Sequence, residues 1–280
     1  MPTFTDAQGV EITYYEYPVE APKAIVQLAH GIGEHAGRYA HVAKALNDAG
    51  YSVFADDHRG HGRTGLSQWA GDLSKLGRLG PGGLRATVED LRQLDRIIRE
   101  RHPHTPVVLL GHSWGSLLAQ LLINKHAADY DAVVLTGTAF RVIGSMASGG
   151  FNRKWKSAAA NGREWLSRDV AIQTGFDADP LTFDADVLGK FGVVDAMRLL
   201  GRPAKDLESD IPLLIQIGSD DSLGGEKSVV KLANAYRERS GLTDITVHVY
   251  ADARHEVFNE TNKDEVLADL VAWLDLHFAS

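Results

Sequence analysis

Pro106-Val107-Val108-Leu109-Leu110-Gly111-His112-Ser113-Trp114-Gly115-Ser116-Leu117-Leu118-Ala119-Gln120-Leu121-Leu122-Ile123 changes character in its middle. The first five residues form a short apolar run, the pattern of a strand buried on both faces. Ser116 to Ile123 reads as a helix. Between them Gly111-His112-Ser113-Trp114-Gly115 matches G-x-S-x-G. A serine on the sharp turn between strand and helix is pushed out above the sheet edge. The flanking glycines are required where the two backbones come too close for a Cβ. The helix N-terminus beneath offers free N–H groups and a positive dipole end to a developing anion. Ser113 is therefore the candidate nucleophile.

The alternation continues on both sides. Two alternating segments open the chain, the second being Val10 to Tyr17, and suggest an antiparallel edge. Strands are expected at Ala24 to His30, Tyr51 to Asp57, Ala132 to Gly137, Pro212 to Gly218 and Ile245 to Tyr250. Helices are expected at Tyr39 to Ala49, Leu84 to Arg101 and Lys263 to Phe278. In the second of these, Val88, Leu91, Leu94 and Ile98 fall on one face. Residues 60 to 83 read as a long glycine-rich loop. Repeated strand–helix alternation implies an α/β fold with a mostly parallel central sheet and helices on both faces.

Residues 139–208 break the rhythm. They hold helical fragments and scattered large apolar residues: Met146, Phe151, Trp155, Trp165, Leu166, Phe176, Phe183 and Phe191. The segment lies between two sheet strands. The expected division is thus an α/β core, 1–138 with 209–280, and an inserted helical cap, 139–208. Its aromatics would either pack among themselves or roof an apolar pocket over Ser113. Met146, Phe151, Trp155 and Leu223 are the candidate substrate contacts.

A serine hydroxyl needs a histidine base, and the base needs an acceptor to orient it. On this architecture the order is serine, acid, histidine, with acid and base on loops at strand C-termini. The strand ending at Ile217 runs into Gly218-Ser219-Asp220-Asp221, and the one ending at Tyr250 runs into Ala251-Asp252-Ala253-Arg254-His255-Glu256. His255 is the candidate base, and Asp220 and Asp221 compete for the acid. Two backbone N–H groups should stabilise the oxyanion. One belongs to Trp114, the residue after the nucleophile. The other is assigned to Ile32 in His30-Gly31-Ile32-Gly33-Glu34-His35, just after the first parallel strand.

The 280-residue chain carries a net charge of −8 and no block of basic residues, which argues against nucleic acid as a partner. It has no cysteine, so no disulfide, thiolate nucleophile or Cys-ligated metal. No signal peptide and no apolar run approaching a membrane span are apparent. The expectation is a cytoplasmic protein with a small-molecule substrate, no cofactor and no metal. At most it makes transient contact with a lipid surface; its oligomeric state is open.

The motifs together resemble a known family. His30-Gly31-Ile32-Gly33-Glu34-His35 with Arg38-Tyr39 is similar to the H-G-x-G-E-H…R-Y signature of monoacylglycerol lipase-like, lysophospholipase-type α/β-hydrolases. Asp57-His58-Arg59-Gly60-His61-Gly62 resembles their D-x-R-G-x-G loop. Gly111 to Gly115 resembles their G-H-S-M-G elbow, with Trp114 in place of methionine. Gly218-Ser219-Asp220-Asp221-Ser222-Leu223 resembles their G-S-x-D-x-L loop, and this selects Asp221. Arg254-His255-Glu256 with Asn259-Glu260 resembles their histidine loop; Trp165-Leu166-Ser167-Arg168-Asp169 and Asp179-Pro180 also look familial. The resemblance covers nearly the whole chain. It implies an α/β-hydrolase fold and a serine esterase or lipase acting on monoacylglycerols, lysophospholipids or other small esters.

Rival readings fare worse. Gly31-Ile32-Gly33-Glu34-His35-Ala36 also fits the G-x-G-x-x-A fingerprint of an NAD-dependent Rossmann oxidoreductase, with Asp56 near the ribose-binding position. That reading sets Glu34 against a pyrophosphate and leaves Ser113, Asp221 and His255 unexplained. His255-Glu256-Val257-Phe258-Asn259 lacks the second histidine of a zinc motif. His58 and His61 are expected to make structural hydrogen bonds. A non-catalytic binding protein on the same fold is the remaining alternative.

Overall fold

β5 (Val107–His112), β6 (Ala132–Thr136) and β7 (Leu213–Gly218) are buried along their whole length in the computed structural model, which describes residues 1–157 and 159–279. Strands buried on both faces must be covered on both faces, and the rest of the chain supplies the cover. β1 (Thr3–Thr5) and β2 (Glu11–Tyr17) open the sheet. β3 (Ile25–Ala29), α1 (Ala40–Asp48), β4 (Ser52–Asp56), α2 (Gly62–Gln68) and α3 (Gly83–Arg101) follow. After β5 come α4 (Trp114–His126) and β6, then α5 (Val170–Ala178) and α6 (Val187–Arg198). The chain closes with β7, α7 (Gly225–Ala235), β8 (Ile245–Tyr250) and α8 (Lys263–Phe278).

The eight strands order as β1-β2-β4-β3-β5-β6-β7-β8. β1, β2 and β4 pair antiparallel and every other neighbour is parallel. Side-chain alternation splits the core in two. Ile25, Val107 and Leu109 join Leu91, Leu94, Leu118 and Leu232 on one face. Val26, Val108 and Leu110 join Val42, Leu46, Leu270 and Trp273 on the other. The chain reverses its winding at β3, which has β4 on one side and β5 on the other. In open parallel sheets the ligand crevice lies at this switch point, beyond the strand C-termini.

Residues 60 to 83 depart from the expected loop. They contain α2 and a short 3₁₀ turn at Leu73–Lys75. α2 forms despite two poor helix formers because tertiary contacts hold it. Asp57 Oδ2 accepts the Arg63 N–H (2.7 Å), and the bare face of Gly65 lies against the Gly60 backbone, where a Cβ would come within 2.6 Å. α7 is a further helix that the sequence reading does not include.

Residues 139–208 leave the sheet between β6 and β7 and return over its C-terminal edge. The Phe183 N–H donates to the Gly33 carbonyl (3.0 Å), His35 bonds Asp179 (2.8 Å) and Lys190 donates to the Leu76 carbonyl (2.8 Å). Asp195 accepts the Leu84 N–H at the start of α3 (3.1 Å). The aromatics of this insert pack largely against the core: Phe183 on His61 and Phe191 on Trp114, with ring centroids 5.0 and 4.9 Å apart. Among the described residues, no helix is long and apolar enough to cross a membrane.

Candidate active site

The turn after β5 has no room for side chains on its glycines. A Cβ on Gly115 would lie 2.1 Å from the Ala29 carbonyl oxygen, and one on Gly111 would meet the Gly115 backbone at 2.6 Å. Ser113 itself is bent to φ 52°, ψ −121°, a conformation that costs a non-glycine residue about 1–3 kcal/mol. The surrounding bonds hold it there: its N–H donates to Thr136 O (2.9 Å), and its carbonyl accepts from the Ser116 hydroxyl (2.6 Å).

The Ser113 hydroxyl lies 2.7 Å from His255 Nε2, and His255 Nδ1 lies 3.0 Å from Asp221 Oδ2. All three are buried. The second Asp221 oxygen accepts the Leu223 N–H (2.7 Å), which fixes the carboxylate plane. Asp220 points elsewhere and pairs with Lys154. Residues from the ends of β5, β7 and β8 are thus gathered into one hydrogen-bonded row, and that row can pass a proton from serine to histidine.

Burial works against the His255 imidazolium. The Asp221 carboxylate, with help from Glu256 and Glu34, more than offsets it, and the pKa ends above the ordinary 6.5. A raised value keeps the ring protonated, and unable to accept the serine proton, to a higher pH. Ester kcat/KM is therefore expected to climb with pH through a midpoint above 6.5 and to level off beyond it. A pH–rate profile with its midpoint below 6.5 would mean that burial outweighs Asp221 in setting the His255 pKa. His112, 5.0 Å away ring to ring, does not compete: burial and then His255 itself depress it to about 3.

Ile32 and Trp114 stand on the two sides of the same crevice, because Ala29 and Gly111 are register partners in β3 and β5. Trp114 begins α4, so its N–H has no partner within the helix. Its ring is buried between His61 and Phe191. Met146, Phe151 and Leu223 line a cavity of about 450 Å³ that opens on Ser113. Trp155 does not line it. Its ring is occupied by the Arg254 guanidinium, 4.7 Å above it. That placement corrects the sequence expectation; a cationic neighbour ninety-nine positions away leaves no local pattern.

Sequence reading assigned no role to the buried network behind the site. Glu34 Oε1 accepts the Gly31 N–H and the Tyr39 hydroxyl, both at 2.7 Å. Arg38 grips Glu256 through two nitrogens (2.9 and 2.8 Å) and Glu34 through one (2.5 Å). The loop carrying Ile32 is thereby tied to the loop carrying His255. Burial alone would raise the Glu256 carboxyl, but Arg38 overrides it and holds it near 2. Its sequence signals are the four-residue spacing of Glu34 and Arg38, the adjacency of Glu256 to His255, and the place of Glu34, Arg38, Tyr39 and Glu256 in the motifs that carry the family resemblance. The same network disposes of the dinucleotide reading, since Glu34 takes up the Gly31 N–H that a pyrophosphate would need.

A mostly parallel sheet with a serine elbow, a buried histidine and an aspartate delivered in that order defines a serine hydrolase of the α/β-hydrolase fold. The model of the family described as "Serine aminopeptidase, S33" matches residues 20–262, and the chain belongs to that family. It is 32% identical to a monoacylglycerol lipase of Mycolicibacterium smegmatis, over 98% of this chain and 96% of that protein. It is 27% identical to the monoglyceride lipase of Rattus norvegicus, over 98% and 89%. A thermostable carboxyl esterase from Bacillus coagulans, solved with glycerol, has the same fold, with a TM-score of 0.82 at 24% identity, covering 99% of this chain and 98% of that one.

Proposed function

We propose that the chain hydrolyses carboxylic esters of single acyl chains, monoacylglycerols among them, with Ser113 as nucleophile, His255 as base and Asp221 as its orienting acid. The observation that carries this reading is the unbroken row Asp221–His255–Ser113, its serine at the mouth of the apolar cavity. Ser113 Oγ attacks the ester carbonyl as its proton passes to His255 Nε2, and Asp221 stabilises the imidazolium. The N–H groups of Ile32 and Trp114 receive the oxyanion, each worth roughly 3 kcal/mol of transition-state stabilisation. Collapse returns the proton to the departing alcohol and leaves the acyl group on Ser113. Water activated by the now neutral His255 then releases the acid.

The apolar lining of the cavity beside Ser113 supports the substrate class. Leu117, Met146, Leu199, Leu200 and Met197 surround the large cavity, which suits an acyl chain. A second recess beside Ser113, lined by Gly31, Glu34, His112, Arg163 and Phe176, is only water-sized. The insert 139–208 contributes to both and serves in this reading as the cap that selects substrate.

Each methylene buried in the cavity is worth about 0.8 kcal/mol, so kcat/KM is expected to rise roughly fourfold per early methylene and then level. Ala196→Phe, which fills part of the cavity, should move the optimum to shorter chains and leave acetyl esters nearly unaffected. The check is a series of p-nitrophenyl esters and monoacylglycerols assayed beside aminoacyl amides. A flat chain-length profile, or faster cleavage of the amides, would overturn the substrate class.

A further inference from the structure

The cap region does more than roof the cavity. Its stretch from Glu164 to Arg168 lies along the histidine loop and bonds to it at every step. His255 N–H donates to the Trp165 carbonyl (3.3 Å) and Glu256 N–H to the Leu166 carbonyl (2.8 Å). Arg254 donates to the Glu164 and Ser167 carbonyls (2.5 and 3.0 Å). Ser167 donates to Asn259 O (2.8 Å), and the Arg168 N–H and guanidinium donate to the two Glu260 oxygens (2.9 Å each). The backbone of Trp165 is itself fixed, its N–H donating to Asn152 Oδ1 (2.9 Å).

This clasp delivers an aromatic ring to the base. The Trp165 indole lies over the His255 imidazole with centroids 5.0 Å apart and planes 36° apart. Phe151 stacks on the same indole at 4.8 Å, so the indole cannot swing away without unstacking a neighbour. An indole face within about 6 Å attracts a cation through its quadrupole, most strongly where water is excluded. His255 is buried, and its active, neutral form becomes a cation as it takes the serine proton.

We propose that Trp165 is a positioning residue for the base: its indole face holds the His255 ring at the angle its two hydrogen bonds require and stabilises the imidazolium formed as Ser113 attacks. The inference rests on the serine-hydrolase reading above. It makes the insert part of the chemistry as well as of substrate choice. The other groups that face His255 are Asp221 from the loop after β7, Glu256 on its own loop, Glu34 from the loop after β3, and His112 at the end of β5. A change at Trp165 removes none of these groups, but a smaller side chain also thins the cover over a base whose burial lowers its pKa, so the aromatic variants carry the test.

The test uses the full chain, p-nitrophenyl acetate and the variants Trp165→Leu, Trp165→Tyr and Trp165→Phe. An acetyl ester barely enters the acyl cavity, so loss of cavity wall should not register. Trp165→Leu is expected to lower kcat roughly three- to tenfold with KM little changed, and to move the pH midpoint down by about half a unit. Trp165→Phe should recover most of the rate. Should the leucine variant fail to fold, the aromatic series decides: midpoints falling in the order Trp, Tyr, Phe support the proposal, and identical midpoints overturn it. An unmoved midpoint and acetyl kcat in Trp165→Leu, with only KM for long-chain esters raised, would make Trp165 a cavity wall and nothing more. Wild-type labelling by a fluorophosphonate is run alongside. A labelled wild type with an unmoved profile sinks this inference alone, whereas an unlabelled one sinks the hydrolase reading beneath it.

Discussion

Asp221→Asn is expected to lower kcat by about 10⁴ while the protein still folds. Asp221 Oδ2 is the partner of His255 Nδ1 at 3.0 Å, and the whole row depends on that nitrogen carrying its proton. An asparagine can present its NH₂ group there instead, which favours the tautomer with the proton on Nε2, where the serine proton must go. It also removes the negative charge that offsets burial of the imidazolium. Asp220→Asn should cost far less, because Asp220 faces Lys154 at the surface. The comparison is internal: two neighbouring carboxyls and the same substitution. Steady-state esterase assays with circular dichroism on both variants decide it. Reversed losses would place the acid one residue earlier.

Gly115→Ala is expected to have the largest effect on stability. The added Cβ would sit 2.1 Å from the Ala29 carbonyl oxygen and 2.6 Å from that of His30, and both are backbone atoms that cannot rotate aside. Either β3 and α4 part or the elbow unwinds. Both outcomes disturb the most buried part of the molecule, at a cost on the order of 4 kcal/mol or more. Thermal melting should show a loss of many degrees, or no soluble folded protein at all. Gly71→Ala is the control for introducing alanine as such: its φ of 82° carries some strain, but nothing lies within 4 Å of the added carbon. Equal stability of Gly115→Ala and wild type would mean the turn is not packed as described.

Particular residues show why the sheet was legible in the sequence and parts of the site were not. β5, β6 and β7 each open on an unbroken apolar run because each strand is buried on both faces, so burial itself writes the pattern. Ser113, Asp221 and His255 are legible because each lies within a few residues of the end of a recognisable strand, β5, β7 or β8, and the fold places strand C-termini together. Asp221 against Asp220 was not settled by that logic, since both follow β7; a family resemblance chose between them. α2 reads as loop in the sequence because Gly62 and Gly65 oppose helix locally, and the contacts that override them come from Asp57 and Gly60. Trp155 and Trp165 look alike in sequence, ten residues apart in the same insert. One receives Arg254 and the other covers His255, and only the three-dimensional course of the insert separates them.

The measurement that tests the account most directly is covalent labelling at Ser113. A fluorophosphonate should add one adduct to the folded chain. Its mass should map to the peptide containing Gly111 to Gly115, and Ser113→Ala should remain unmodified at the same concentration. No adduct on the folded wild type, or equal labelling of Ser113→Ala, would contradict Ser113 as the nucleophile.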